Sequence, residues 1–171
     1  WAAGYINALA ARGIVDGRGD GSFDPLIGCK REEMAKILVK AFRLEGRESG
    51  TFSDVDENEW YYPYIRALCG SGAAQGIGGG RFGVGMNITR QDAFCMVAAV
   101  LGETKAEDSG KAAVFADEGQ IAGYAAESVR KLAALGVVGG DDAGRINPGA
   151  EITRAEMAKI IYLALSCMGD D

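Results

Sequence analysis

Apolar side chains recur along this chain at helical spacing, in the same order, three times. Ile6 and Leu9, then Ile65 and Leu68, then Val129 and Leu132 stand three residues apart, which puts each pair on one face of a helix. Each pair is followed by a glycine, Gly13, Gly72 or Gly136, at the place where a left-handed residue closes a helix C-terminus. Farther on, Met34, Ile37, Leu38 and Ala41 form a stripe at positions 0, 3, 4 and 7. Ala93, Met96, Val97 and Val100 repeat that stripe, as do Met157, Ile160, Ile161 and Ala164. The pattern predicts a second, amphipathic helix in each copy. A polar, turn-rich loop joins the two helices, Gly17 to Lys30 in the first copy, where Phe23-Asp24-Pro25 is answered by Ile146-Asn147-Pro148 in the third.

The register between copies is tight. Trp1 to Trp60 and Arg31 to Arg90 share an offset of 59, and Arg154 follows Arg90 by 64, with Tyr124 in the tryptophan place. Gly17, Gly76 and Gly140 coincide in the same alignment, and Phe52-Ser53-Asp54 matches Phe115-Ala116-Asp117 as a lead-in. The copies run over residues 1–44, 52–102 and 114–166, the first without its lead-in. One helix-loop-helix cannot bury its own stripe. The expected fold is therefore all-α, three helix-loop-helix repeats packed as one pseudo-threefold unit, with Leu9, Leu68 and Leu132 buried in equivalent environments.

Composition narrows the chemistry. The 171 residues include no histidine, which removes the commonest general base and metal ligand and argues against most enzymes. Eighteen basic and twenty-four acidic residues leave a net charge of −6, so nonspecific attraction to nucleic acid or an anionic lipid surface is not expected. No run reaches the length of a membrane span, and Trp1-Ala2-Ala3-Gly4-Tyr5 has neither the charged start nor the apolar stretch of a signal peptide. The expectation is a soluble segment cut from a longer chain.

Arg31, Arg90 and Arg154 open the second helix of each copy. A cation there opposes the helix dipole, so each needs a compensating partner. That partner is either an internal carboxylate or a bound anion held jointly by the guanidinium and free helix amides. Thr89 with Asp92 and Thr153 with Glu156 have capping-box spacing. In the first copy Lys30 replaces threonine while Arg31 and Glu33 remain, so the cap is not what keeps the arginine. Such an arginine should add little to the helix itself, and its substitution should leave the fold intact. Trp1, Trp60 and Tyr124 offer flat faces suited either to sugar rings or to core packing.

The run Phe52-Ser53-Asp54-Val55, Trp60, Ile65, Leu68, a glycine-rich loop and Ile88-Thr89-Arg90-Gln91-Asp92 resembles the S-layer homology family, and Ile152-Thr153-Arg154-Ala155-Glu156 carries that family's hallmark tetrapeptide unchanged. The resemblance covers all three copies. It implies a three-pronged pseudo-trimer whose inter-repeat grooves bind secondary cell wall polymer through a pyruvylated sugar, holding a fused cargo protein on a Gram-positive-type surface. It places ligand contacts at Arg31, Arg90, Arg154, Lys30, Thr89, Thr153, Glu33, Asp92, Glu156, Trp1 and Trp60, with Gly17, Gly76 and Gly140 in the loops. The second copy departs most: Val84 stands in the proline position, Gly78-Gly79-Gly80 loosen the loop, and Asp92 is one methylene shorter than glutamate. Arg90 is therefore expected to matter less than Arg31 or Arg154.

Other readings are weaker. Arg18-Gly19-Asp20 consists of ordinary turn formers in a repeat loop. Asp16, Asp20 and Asp24 fail the calcium-loop pattern, because Arg18 and Ile27 occupy ligand positions. Neither a metal nor a cofactor is expected. Cys29, Cys69, Cys95 and Cys167 do not follow the repeat; Cys29 and Cys69 read as small buried hydrophobes and Cys95 as a polar-face residue, with the disulfide state open. The rival function is a carbohydrate-active enzyme using paired carboxylates. A threefold set of equivalent positions favours binding, because catalysis needs one specialised constellation.

Overall fold

The structure, a computed structural model, describes residues 1–46, 50–102 and 114–169. Its elements are α1 (Ala3–Ala11), α2 (Arg31–Phe42), α3 (Tyr62–Gly70), α4 (Arg90–Val100), α5 (Ala126–Ala134) and α6 (Arg154–Ser166), with 3₁₀ turns at Glu118–Gln120 and Gly123–Ala125. Among the described residues there is no extended strand, and no helix is long and apolar enough to cross a membrane. The fold is all-α, as the two stripes per copy predict.

The first helix of each copy ends by one mechanism. Gly13, Gly72 and Gly136 have φ of +67°, +81° and +70°, a region that costs a side-chain-bearing residue. Beyond each glycine a backbone N–H folds back to a leucine carbonyl: Ile14 to Leu9 at 2.9 Å, Ala73 to Leu68 at 3.2 Å and Val137 to Leu132 at 2.9 Å. This closure satisfies carbonyls the helix would otherwise leave open. The same three leucines are fully buried, so the alignment holds at its most demanding positions.

Packing differs from a row of helical hairpins. The closest backbone approaches are not between the two helices of one copy; instead α2 lies against α3, α4 against α5, and α6 against α1, while α2, α4 and α6 also meet one another. Each copy thus lends its second helix to the first helix of the next, and the third copy returns to the first. Between the helix starts runs a closed ring of backbone bonds. Cys29 N–H donates to Ile152 at 2.9 Å, Ile152 N–H to Ile88 at 3.1 Å, and Ile88 N–H to Cys29 at 2.9 Å. All three side chains are buried, so their amides need these partners. Cys29 is the small core residue expected, whereas Cys69 is only partly buried, a correction that follows from the exposed Ala10 at its aligned position. All four thiols are unpaired.

The loops are held by the lead-in aspartates. Asp54 accepts N–H bonds from Phe82, Gly83 and Val84 at 2.7, 2.7 and 3.1 Å, and Asp117 accepts from Ile146 and Asn147 at 2.8 Å each. The turns they grip put Gly83 and Asn147 at φ of +97° and +51°, and the aligned Asp24 of the first copy, which has no lead-in aspartate, takes the same conformation at +51°, which accounts for the residue types at that place. Burial would raise the Asp54 pKa, but the three backbone donors hold it below the ordinary carboxylate value. A depressed folded pKa means that the stabilisation is complete above the unfolded value near 3.8 and is lost as pH falls through the folded one. Asp54→Asn should cost about 1.5–3 kcal/mol at neutral pH, and the penalty should shrink on acidification below that value, which melting curves across pH will show.

Candidate functional site

Each second-helix arginine reaches out of its own copy. Arg31 Nε donates to the Phe82 carbonyl at 2.7 Å and an η nitrogen to Gln75 at 2.9 Å. Arg90 Nε donates to Ile146 at 2.8 Å and pairs with Glu156 at 2.7 Å. Arg154 Nε donates to Phe23 at 2.9 Å, its η nitrogens bond the Asp16 carbonyl at 3.0 Å and Glu33 at 3.2 Å, and its guanidinium covers the Phe23 ring at 4.5 Å. The backbone N–H groups follow the same rotation, from Arg31 to Met86, Arg90 to Ala150 and Arg154 to Ile27. Every arginine therefore clamps the loop of the following copy.

Two expectations are corrected here. These arginines are inter-repeat struts rather than minor additions to a helix, and Arg31 and Arg154 are buried. The altered second-copy loop belongs to Arg31, not Arg90, which reverses the basis for ranking Arg90 last. Carboxylates of the next copy compensate Arg90 and Arg154. Arg31 has no carboxylate within ion-pair distance among the described residues, since Asp92 instead accepts the Tyr124 hydroxyl at 2.8 Å. The missing methylene decides this: glutamate spans the gap to the arginine, and aspartate does not.

The caps vary accordingly. Thr153 and Glu156 form a reciprocal box, Thr153 N–H reaching the carboxylate at 2.8 Å and Glu156 N–H the hydroxyl at 3.2 Å. Thr89 accepts the Asp92 N–H at 3.3 Å. At Lys30 only the return half forms, with Lys30 N–H on Glu33 at 2.9 Å, because an ammonium has no lone pair to accept with; its Nζ bonds the Gly85 carbonyl at 2.8 Å instead. Gly17, Gly76 and Gly140 sit where the two loop arms cross. A Cβ there would lie 2.8 Å from the Ser22 oxygen, 2.6 Å from the Arg81 oxygen and 2.8 Å from the Gly144 carbonyl carbon, so close approach of backbone requires glycine.

Three grooves result, each assembled from all three copies. The largest, about 590 Å³, is lined by Arg31, Gly76, Asp92, Cys95, Tyr124 and Ser128. A second, about 470 Å³, has Arg90, Gly140, Thr153, Glu156, Lys159 and Trp1. The third, about 160 Å³, has Arg154, Asp16, Glu33, Lys36 and Trp60. The recipe is constant: an arginine from one copy, the loop and second helix of the next, an aromatic from the remaining one. Trp1, Tyr124 and Trp60 are 76%, 65% and 49% exposed, so core packing is not their role. Lys159 lies over Trp1 at 6.0 Å and Lys36 over Trp60 at 5.7 Å, within cation–π range.

Sequence reasoning missed these two lysines. The clue was present, since Lys36 and Lys159 align with each other and with Cys95, but they read only as a polar face. Burial raises the Cys95 pKa, so this groove carries a neutral thiol where the other two carry an ammonium. Burial, then the bond to Asp92, pushes the Tyr124 phenol up to about 12, which keeps it a donor.

Residues 1–35, 51–94 and 114–158 match the S-layer homology domain. The chain belongs to that family. Relatives include a surface-layer 125 kDa protein of Lysinibacillus sphaericus, 30% identical over 91% of this chain and 13% of its own length. An amylopullulanase of Thermoanaerobacterium thermosulfurigenes is 33% identical over 99% of this chain and 9% of its own. S-layer protein EA1 of Bacillus anthracis is 28% identical over 95% and 19%. This S-layer homology chain therefore spans less than a fifth of the length of these relatives. Membership in the family, with surface-layer proteins among the relatives, puts the chain at the cell surface.

Proposed function

We propose that this chain is a noncatalytic anchor whose three repeats form a three-pronged pseudo-trimer and whose grooves bind an anionic, pyruvylated cell wall polysaccharide. The closed ring of backbone bonds and the rotation of each arginine into the next copy support the pseudo-threefold arrangement. The observation that carries the binding role is the exposed indole with an ammonium over it beside an arginine-gripped loop, repeated in two grooves. An indole covers the C–H face of a sugar. The ammonium and nearby guanidinium can donate to a ketal carboxylate. Lys30, Thr89, Thr153, Glu33 and Glu156 shape these grooves by fixing helix starts and arginines.

Relatives named as an amylopullulanase and as an exoglucanase fit a module that carries varied cargo, and a fused cargo domain is part of this proposal. The carboxylates lining the grooves are each engaged by a cation, a hydroxyl, an amide or a backbone N–H, which leaves none disposed as the protonated acid of a glycosidase. Sedimentation with purified cell walls should pull the protein down, and chemical removal of pyruvate from those walls should release it. Equal binding to both preparations removes the pyruvyl reading. Reducing sugar released by the protein, and abolished in Glu156→Gln, establishes the enzyme reading instead.

A further inference from the structure

The three grooves share one recipe but not one charge state, and the difference lies in residues outside it. In the Lys36 groove the ammonium is already taken: Asp16 accepts from Lys36 at 2.7 Å and from Lys40 at 3.4 Å. Arg154 is paired with Glu33, and Arg18 also stands 3.7 Å from that carboxylate. In the Lys159 groove the place of Asp16 is held by Gly139 and that of Lys40 by Leu163. Lys159 is exposed over Trp1, and among the described residues no carboxylate lies within ion-pair distance of it. The third groove has Cys95 where the others have lysine, and its aspartate is tied to Tyr124.

We infer that Asp16 occupies the anion-recognition point of the Lys36 groove, so that this chain takes an anionic sugar in the Lys159 groove first and admits a second only when Asp16 is displaced. This rests on the anionic-sugar reading above and adds which groove is used and what sets the order. A carboxylate of the chain itself, tethered beside the ammonium, competes at a high effective concentration with any free one. The volumes agree: about 470 Å³ where no internal anion stands against the lysine, about 160 Å³ where Asp16 does. The Cys95 groove lacks the lysine, and its Arg31, although without an ion-paired carboxylate, is buried with its guanidinium turned to the Phe82 and Gln75 carbonyls, which leaves that groove without an exposed cation over an aromatic ring.

The two tryptophans are the only ones in the chain, and each marks one groove, so their indole N–H resonances report occupancy separately. The probe is a methyl hexoside carrying one pyruvyl ketal, with its neutral methyl ester as control. In the wild type the Trp1 signal should shift first, with calorimetry giving one site. In Asp16→Asn, and in Asp16→Gly, which copies the third repeat, the Trp60 signal should shift as well, with affinity in that groove raised about tenfold or more. Lys159→Met should silence Trp1 in the wild type and leave the Trp60 response of Asp16→Asn intact. Simultaneous shifts of both indoles in the wild type, or a silent Trp60 in both Asp16 variants with native melting, would overturn the assignment of Asp16 while leaving the anchor reading standing. No response in the wild type or in either Asp16 variant, or equal response to the neutral ester, overturns the anionic-sugar reading and this inference together.

Discussion

Arg154→Ala is expected to lower folding stability by about 3–5 kcal/mol, the range for removing one partner of a buried charge pair. Arg154 is 5% exposed and engages two carbonyls and a carboxylate, all from the first copy, from the far end of the chain. Alanine would strand Glu33 with only the more distant Arg18 and the Lys30 amide, and would uncover Phe23. Arg154→Lys should recover only a fraction, because a single ammonium cannot reach three acceptors in different directions. Denaturant midpoints for both variants and for Glu33→Gln, combined in a double-mutant cycle, isolate the pair from the carbonyl bonds. A loss below about 1 kcal/mol for alanine would show that the first and third copies are not held together by this strut.

Phe82→Ala should be comparably severe, at about 3–5 kcal/mol for truncating a fully buried phenylalanine. Phe82 meets Phe52 edge-on at 5.7 Å and lies under the Arg31 guanidinium at 5.1 Å. Its backbone receives Arg31 Nε and donates to Asp54, so one position joins the lead-in, the loop and the neighbouring copy. Phe82→Ile should cost much less, because Ile146 fills the aligned place in the third copy, where Arg90 lies over its own Phe94 at 5.3 Å instead. Urea denaturation will separate the two variants. Equal, small losses would mean that the loop closes without its ring.

Six helices, three glycine stops and the buried leucines were legible in the sequence because they depend on local steric preference and on periodicity, which a chain carries wherever it folds. Alignment of the copies also identified the residues that line the grooves by type: arginine, acid, aromatic. It did not reveal which copy each one serves. Translation along a sequence makes Arg31, Arg90 and Arg154 equivalent, but only the tertiary packing, in which α2, α4 and α6 meet one another, brings each beside the loop of the following copy. The Asp16–Lys36 pair was hidden for the same reason, since twenty residues and an intervening loop separate two side chains that meet at 2.7 Å. The repeat pattern by itself determined three equal units; the tertiary structure made three unequal grooves, because a groove's charge is the sum over side chains from every copy, and single departures such as Asp16, Asp92 and Cys95 change that sum without disturbing the periodicity.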